Sequence, residues 1–365
     1  MSTPRTLHLL LATKERFEPE GAGAFALNVL ETSRVSRFHD DITVFGSPVA
    51  NPFRGVRYQP LAKARWWNGD RNRAMARRYG EFARGARPAL IEVYNRPVVA
   101  DMLRGLLGDV AIVLHLGNDP RSMDGSRSAA ERRKLLENSA AIVCVSDYIR
   151  RCFLDGIVDP FSRVHVIYTG VPRAPEFPAK DKRIVYAGRV VPEKGVLELV
   201  QALARILPHH PDWSAEVIGA RWFGAGEKPT AYETSVAASA AQCGQIVLSG
   251  FRPHEDVLAS LNGASIAVVP SLWDDPFPRT ALEALAQACA LICSRRGGLP
   301  ELGPDRACYV EPISPESVSD ALENLITDNE HREALQRRGW ADFPFDIHRS
   351  TSALDDLRER LMSPA

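Results

Sequence analysis

The stretch RIVYAGRVVPEKGVLELV (Arg183–Val200) decides the fold. It opens as an uninterrupted apolar run, Ile184–Ala187, with no polar alternation. Such a run belongs to a strand covered on both faces, as in a parallel sheet. Gly188 breaks the run, Arg189 and Lys194 follow within a turn, and a helix-period pattern begins near Val196. The unit is therefore strand, cationic turn, helix, which is the first half of a βαβ crossover.

The same alternation recurs along all 365 residues. Strand candidates in the first half are Leu7–Ala12, Ile42–Phe45, Leu90–Val93, Ala111–Leu114, Ala141–Val145 and Val164–Ile167. In the second half they are Ile184–Ala187, Ala215–Ile218, Ile246–Leu248, Ile266–Val269, Leu291–Ser294 and Ala307–Val310. Between the two sets lies a segment with three prolines and mixed charge, which predicts a surface linker. The expected organisation is an N-terminal Rossmann-like domain over 1–172, a linker over 173–183 and a C-terminal Rossmann-like domain over 184–345. A terminal helix over 346–365 is placed to pack back on the N-terminal domain. The fold class is α/β, two doubly wound domains facing a cleft, with ligands expected beyond the carboxyl ends of the strands.

Composition excludes several classes. Lys+Arg and Asp+Glu both number 45, so the whole chain carries no nucleic-acid footprint. The six cysteines form no CxxC and sit in apolar runs, which predicts reduced core thiols in a cytoplasmic protein. No apolar stretch reaches the roughly 20 residues of a membrane span, and the N-terminal run reads as a buried strand, not a signal peptide. One region is strongly basic: Arg57 to Arg104 holds eleven Lys/Arg against four Asp/Glu. Within it, Arg65–Arg78 mixes arginines with Trp66 and Trp67. That composition fits an anionic membrane surface or a phosphorylated glycolipid, and equally a solvated helix whose aromatics fill the core.

Five constellations carry candidate chemistry. Arg189 and Lys194 beside a helix start suit a diphosphate, through a guanidinium fork, a mobile ammonium and the amides of the helix terminus. The segment VVPSLWDDPFPRTALEAL (Val268–Leu285) ends a buried strand in an acidic loop and opens a helix near Pro278. Asp275 and Glu283 then offer carboxylates to sugar hydroxyls; the alternative is helix capping by the aspartates and a solvated Glu283. Gly297 and Gly298 either let backbone approach a ligand or form a plain turn. Glycines around Gly23 precede a helix at about Ala24. The dinucleotide fingerprint is not met there, and strand two lacks the acidic residue that would hold an adenosine ribose, which argues against NAD. His115 ends a strand next to Gly117 and Asn118, and Asn95 follows the preceding strand; either a sugar contact or a structural role accounts for the histidine.

Taken together, GRVVPEKG (Gly188–Gly195), WDDPFPRTALEALA (Trp273–Ala286), SRRGGLPEL (Ser294–Leu302) and SGFRPHEDV (Ser249–Val257) resemble the retaining glycosyltransferases of family 4, which have the GT-B fold. The resemblance spans nearly all of the second half and, more loosely, the first. It implies that Arg189 and Lys194 bind the donor diphosphate, Glu283 the ribose and Asp275 the donor sugar. Backbone around Phe251 and Arg252 would read the base. Amides at Gly23, Gly297, Gly298 and Leu299 would approach sugar and phosphates, His115 would lie near the donor sugar, and Asn95 and Asn118 would lie on the acceptor side. The expected donor is a UDP-sugar, with a GDP-sugar second, and the resemblance implies no metal. The acceptor would be a glycan or glycolipid of bacterial surface polysaccharide or lipopolysaccharide, and the enzyme would work in the cytoplasm or at the inner membrane face. Catalysis would fall to Arg189, Lys194, Asp275 and His115. Alternatives are an epimerase or phosphorylase on the same scaffold, or a non-catalytic partner that binds nucleotide sugar. Three departures stand out: Asp275 replaces the usual Glu, Pro278 stands where Gly is common, and Ala22 interrupts the N-terminal glycine pair.

Overall fold

The computed structural model describes residues 6–61, 70–160, 162–221 and 228–363. The chain divides into two compact units, one of Met1–Gly170 with Ile347–Ala365, the other of Val171–Asp346.

The first unit runs β1 (Leu7–Leu10), α1 (Ala24–Val35), β2 (Ile42–Gly46), β3 (Arg57–Pro60), α2 (Arg71–Ala86), β4 (Leu90–Tyr94), α3 (Pro97–Leu107), β5 (Ala111–Leu116), α4 (Ala129–Asn138), β6 (Ala141–Cys144), α5 (Asp147–Leu154) and β7 (Val164–Val166). All strand pairs are parallel, in the order β3-β2-β1-β4-β5-β6-β7. Every residue of β1, β4 and β6 is buried, as two helix-covered faces require. The strand β3, RYQP, has no apolar run and is mostly exposed. It is one of the sheet's two edge strands, so only one flank needs pairing, and Pro60 is tolerated at its end. That is why apolar patterning missed it.

The second unit runs β8 (Asp181–Ala187), α6 (Val196–Ile206), β9 (Ser214–Ile218), α7 (Ala231–Ala240), β10 (Ile246–Gly250), α8 (His254–Gly263), β11 (Ala264–Val269), α9 (Arg279–Ala286), β12 (Ala290–Ser294), β13 (Ala307–Val310), α10 (Pro315–Thr327) and α11 (Asn329–Ala341). Its sheet is also parallel, in the order β10-β9-β8-β11-β12-β13. The Pro-rich segment after Gly170, expected as a linker, packs on this unit. Val171 is fully buried, Ala174 N–H donates to Ala286 O at 3.0 Å, and Trp340 Nε1 donates to Ala174 O at 3.0 Å.

The last helix, α12 (Ile347–Met362), belongs to the first unit, and buried charge holds it there. Arg358 forks onto Glu92 of β4, Nε to Oε1 at 2.6 Å and Nη2 to Oε2 at 3.0 Å. Both side chains are 1% exposed. Arg358 Nη1 also donates to Asp355 at 2.9 Å, and Asp355 accepts from Ser36 Oγ at 2.8 Å and Arg37 N–H at 2.9 Å. Burial alone would raise the Glu92 pKa. The Arg358 charge more than offsets it, leaving the carboxyl far below the usual carboxylate range.

Five of the six cysteines are buried, Cys308 is half-buried, and all six are unbonded. No helix among the described residues is long and apolar enough to cross a membrane. Of the basic stretch Arg65–Arg78, residues 65–69 lie outside the described residues. Helix α2 presents Arg71, Arg73, Arg77 and Arg84 to solvent and buries Met75 and Tyr79.

Candidate active site

In the second sheet the strand order reverses between β8 and β11, since β9 and β10 lie on one side and β12 and β13 on the other. Loops leaving two neighbouring strands in opposite directions open a crevice at their carboxyl ends. The loop after β8 carries Arg189 and Lys194, and the loop after β11 carries Asp275. Topology thus brings the cations and the first carboxylate to one place.

Close backbone contact fixes the two loops against each other. Leu272 N–H donates to Glu193 O at 2.9 Å. Gly195 has φ +65°, and a Cβ there would lie 2.0 Å from Pro270 O, so no other residue fits. The Lys194 ammonium donates to Asp275 Oδ2, and Ser271 Oγ donates to the same oxygen at 3.2 Å. Lys194 Nζ also stands 5.4 Å from the centre of the Trp273 ring, within cation–π range. Asp275 is buried and Lys194 half-buried. By contrast the half-buried Arg189 guanidinium makes no hydrogen bond or ion pair among the described residues. One cation is held and one is unengaged, and both lie on the loop that leads from β8 into α6.

Glu283 lies inside α9 and is 2% exposed, so it is neither solvated nor a cap. Its Oε1 accepts from Arg279 Nε at 2.6 Å and from His254 Nε2 at 2.7 Å. Burial pushes its pKa up, but the Arg279 charge and the His254 hydrogen bond bring it below the ordinary value. It is therefore an ionised acceptor at neutral pH. Phe251, half-buried, and Arg252, exposed, follow β10 at the same edge and lead directly into His254.

Gly297 and Gly298 follow β12. Gly297 has φ +59°, and a Cβ there would meet Asp275 O at 2.1 Å. Gly298 N–H donates to Asp275 O at 2.8 Å, and the Leu299 side chain is buried. The close approach these glycines permit is to the acidic loop itself.

The remaining candidates sit in the first unit. Gly23 caps α1, and a Cβ there would lie 2.5 Å from Glu15 Oε2. Asn95 adopts φ +55°, donates its N–H to His115 O at 2.7 Å and accepts from Gly117 N–H at 3.3 Å. Asn118 is exposed. His115 is 6% exposed, its ring stacks on Tyr94 at 4.3 Å, and Nε2 lies 3.2 Å from Glu92 Oε2. It is packed into the buried charge group under α12. Sequence reasoning passed over Ser271, Trp273, His254 and Arg279. Of these only Arg279 left a signal, four residues before Glu283 on one helix.

The family model described as glycosyl transferases group 1 matches residues 171–341, which span the second unit almost completely. The second unit is thus similar to the group 1 glycosyl transferases. Curated relatives of this chain include spore coat protein SA of Bacillus subtilis (strain 168), 28% identical over 268 residues, 67% of this chain and 71% of that one. Another is the lipopolysaccharide 1,2-N-acetylglucosaminetransferase of Salmonella typhimurium strain LT2, 21% identical over 266 residues, 68% and 66% of the respective chains. Among solved structures, Anabaena Alr3699/HepE in complex with UDP-glucose superposes with a TM-score of 0.76 at 17% identity, covering 98% of this chain and all of that one. Sucrose-phosphate synthase from Thermosynechococcus elongatus gives 0.77 at 17%, covering 98% and 99%. Both units of the chain therefore have the Rossmann-like parallel-sheet fold of the GT-B class.

Proposed function

We propose that this nucleotide-sugar glycosyltransferase is a retaining hexosyltransferase. The donor is a UDP-sugar, with a GDP-sugar as second choice, and the acceptor is a hydroxyl of a glycan or glycolipid in cell-surface polysaccharide synthesis. The observation that supports this reading is that the Lys194–Asp275 pair joins the loops leaving β8 and β11 at the switch point of one sheet, with unengaged Arg189 on the first of those loops and buried Glu283 on the helix that follows the second. Arg189 and Lys194 take the diphosphate, the Asp275 loop takes hydroxyls of the sugar, and Glu283 takes the ribose. The first unit takes the acceptor, with exposed Asn118 at a loop that follows β5.

In the reaction the bond from the anomeric carbon to the β-phosphate oxygen breaks, and its electron pair stays on the phosphate. The acceptor oxygen bonds to that carbon on the same face, and its proton passes to a phosphate oxygen. The protein's work is to neutralise the leaving diphosphate, which two positioned cations and the amides of the α6 terminus supply with no ion of their own to recruit. Lys194 is preorganised for this by Asp275 and Trp273, and its link to Asp275 joins the leaving-group side of the donor to the sugar side.

Purified protein given UDP-glucose, other UDP-sugars and GDP-mannose, with and without acceptor glycolipid, is expected to release nucleoside diphosphate and glycosylated product. Lys194→Ala should lower turnover about 100- to 1,000-fold with the fold retained. Tight binding of a nucleotide sugar without release of any product would instead support a non-catalytic binding partner. The outward arginines of α2 support contact with anionic lipid; salt-sensitive co-sedimentation with phosphatidylglycerol vesicles is expected, and its absence would remove the membrane from the proposal.

A further inference from the structure

The carboxylate assigned to the ribose is gripped on one oxygen only. Glu283 Oε1 accepts from both Arg279 Nε and His254 Nε2, at 2.6 and 2.7 Å. A carboxylate oxygen has about two acceptor sites, so Oε1 is saturated. Oε2 accepts no hydrogen bond from the described residues. Glu283 is ionised, so His254 must carry its proton on Nε2 to make this contact. The two donors approach from different elements, α9 itself and the first residue of α8. Together they fix the rotation of the carboxylate plane, which a single partner would leave loose.

We infer that Arg279 and His254 are positioning residues that turn Glu283 into a one-oxygen reader of the nucleotide's ribose, presenting Oε2 alone to its hydroxyls. This rests on the reading of Glu283 as the ribose acceptor. His254 has a second consequence through the chain. It follows Phe251, Arg252 and Pro253 directly, so the loop proposed to read the base and the carboxylate proposed to read the ribose are tied by one hydrogen bond. Base and ribose recognition are then set together, and a nucleoside diphosphate lacking a ribose hydroxyl covers an ionised oxygen without giving it a partner. That loss is the costly one, because an unpaired charged acceptor forfeits its solvation as well as its bond.

The test compares dissociation constants for UDP, 2′-deoxy-UDP and 3′-deoxy-UDP by calorimetry in the full-length protein. Wild type should bind at least one deoxy form about tenfold or more weakly than UDP, as expected for a hydrogen bond to a charged group. In Glu283→Gln that ratio should fall toward one. In His254→Phe and Arg279→Leu it should fall severalfold, mainly through weaker UDP binding, and His254→Gln, which keeps a donor at a similar reach, should restore it. A purely structural role would lower the melting temperature and leave the ratio alone. If Glu283→Gln collapses the ratio while His254→Phe and Arg279→Leu keep it, the positioning inference is overturned and the ribose reading stands. If Glu283→Gln also keeps it, the ribose reading falls and takes the inference with it. His254 is part-exposed, so the His254→Phe and His254→Gln pair decides the matter even if the Arg279 variant does not fold.

Discussion

Both units wind a parallel sheet in the same order around their first strand, yet they place charge differently. In the first unit the charged groups lie within the sheet and under a helix: Glu92 is mid-strand, Arg358 and Asp355 are buried, and each is paired. In the second they lie in loops beyond the strand ends or at the head of a helix, and pairing is incomplete. Arg189 has no partner among the described residues, and Glu283 keeps one oxygen open. A closed set of charges has nothing left for a ligand and serves to hold α12. An open set at a switch point has unmet bonding capacity. The difference, more than the presence of charge, separates scaffold from site.

The largest effect that sharpens this contrast is expected in the first unit. Arg358→Ala leaves Glu92 and Asp355 buried without their cation, which should cost about 3–5 kcal/mol in chemical denaturation. UDP affinity of the protein that remains folded should be unchanged. A loss below 1 kcal/mol would mean that α12 is held by its apolar face and the charges are incidental.

A smaller effect is expected with pH. His8 of β1 is buried, Nδ1 lies 2.9 Å from Tyr79 Oη, and burial lowers its pKa from 6.5 to about 4. The unfolded imidazole therefore binds a proton that the folded one refuses between those values. Stability is full above pH 6.5 and declines as pH falls toward 4, by up to about 3 kcal/mol at 1.36 kcal/mol per unit. Glu92, whose folded pKa is depressed, adds its own loss only below the ordinary carboxylate value near 4.3. His8→Gln should flatten the melting temperature between pH 7 and 5; an unaltered slope would assign the decline to other groups.

What could be read from the chain follows the same division. Strands covered on both faces announce themselves as apolar runs, and all nine interior strands of the two sheets were legible that way, with the edge strands β7, β10 and β13 besides, while the exposed edge strand β3 was not. The cationic turn and the acidic loop were legible because each is a short local pattern at a strand end. The partner of Glu92 was not, since Arg358 lies 266 residues away and nothing in IEVY marks its glutamate as paired. His115, at a strand end, left a sugar contact and a structural role both open. The register that sets it beside Tyr94 is a property of the sheet, and that pairing turns the ring onto Tyr94 and Glu92. Gly297–Gly298 left a ligand approach and a plain turn both open, and sequence has no means to say that Asp275 O lies against Gly297.

The most direct measurement compares UDP with UMP in wild type and Arg189→Ala by titration calorimetry, because the two nucleotides differ only in the phosphate that an unengaged guanidinium would take. The account predicts that wild type prefers UDP and that the preference falls by about tenfold or more in the variant, with uridine-portion binding retained. An equal preference for UDP in both proteins would contradict it.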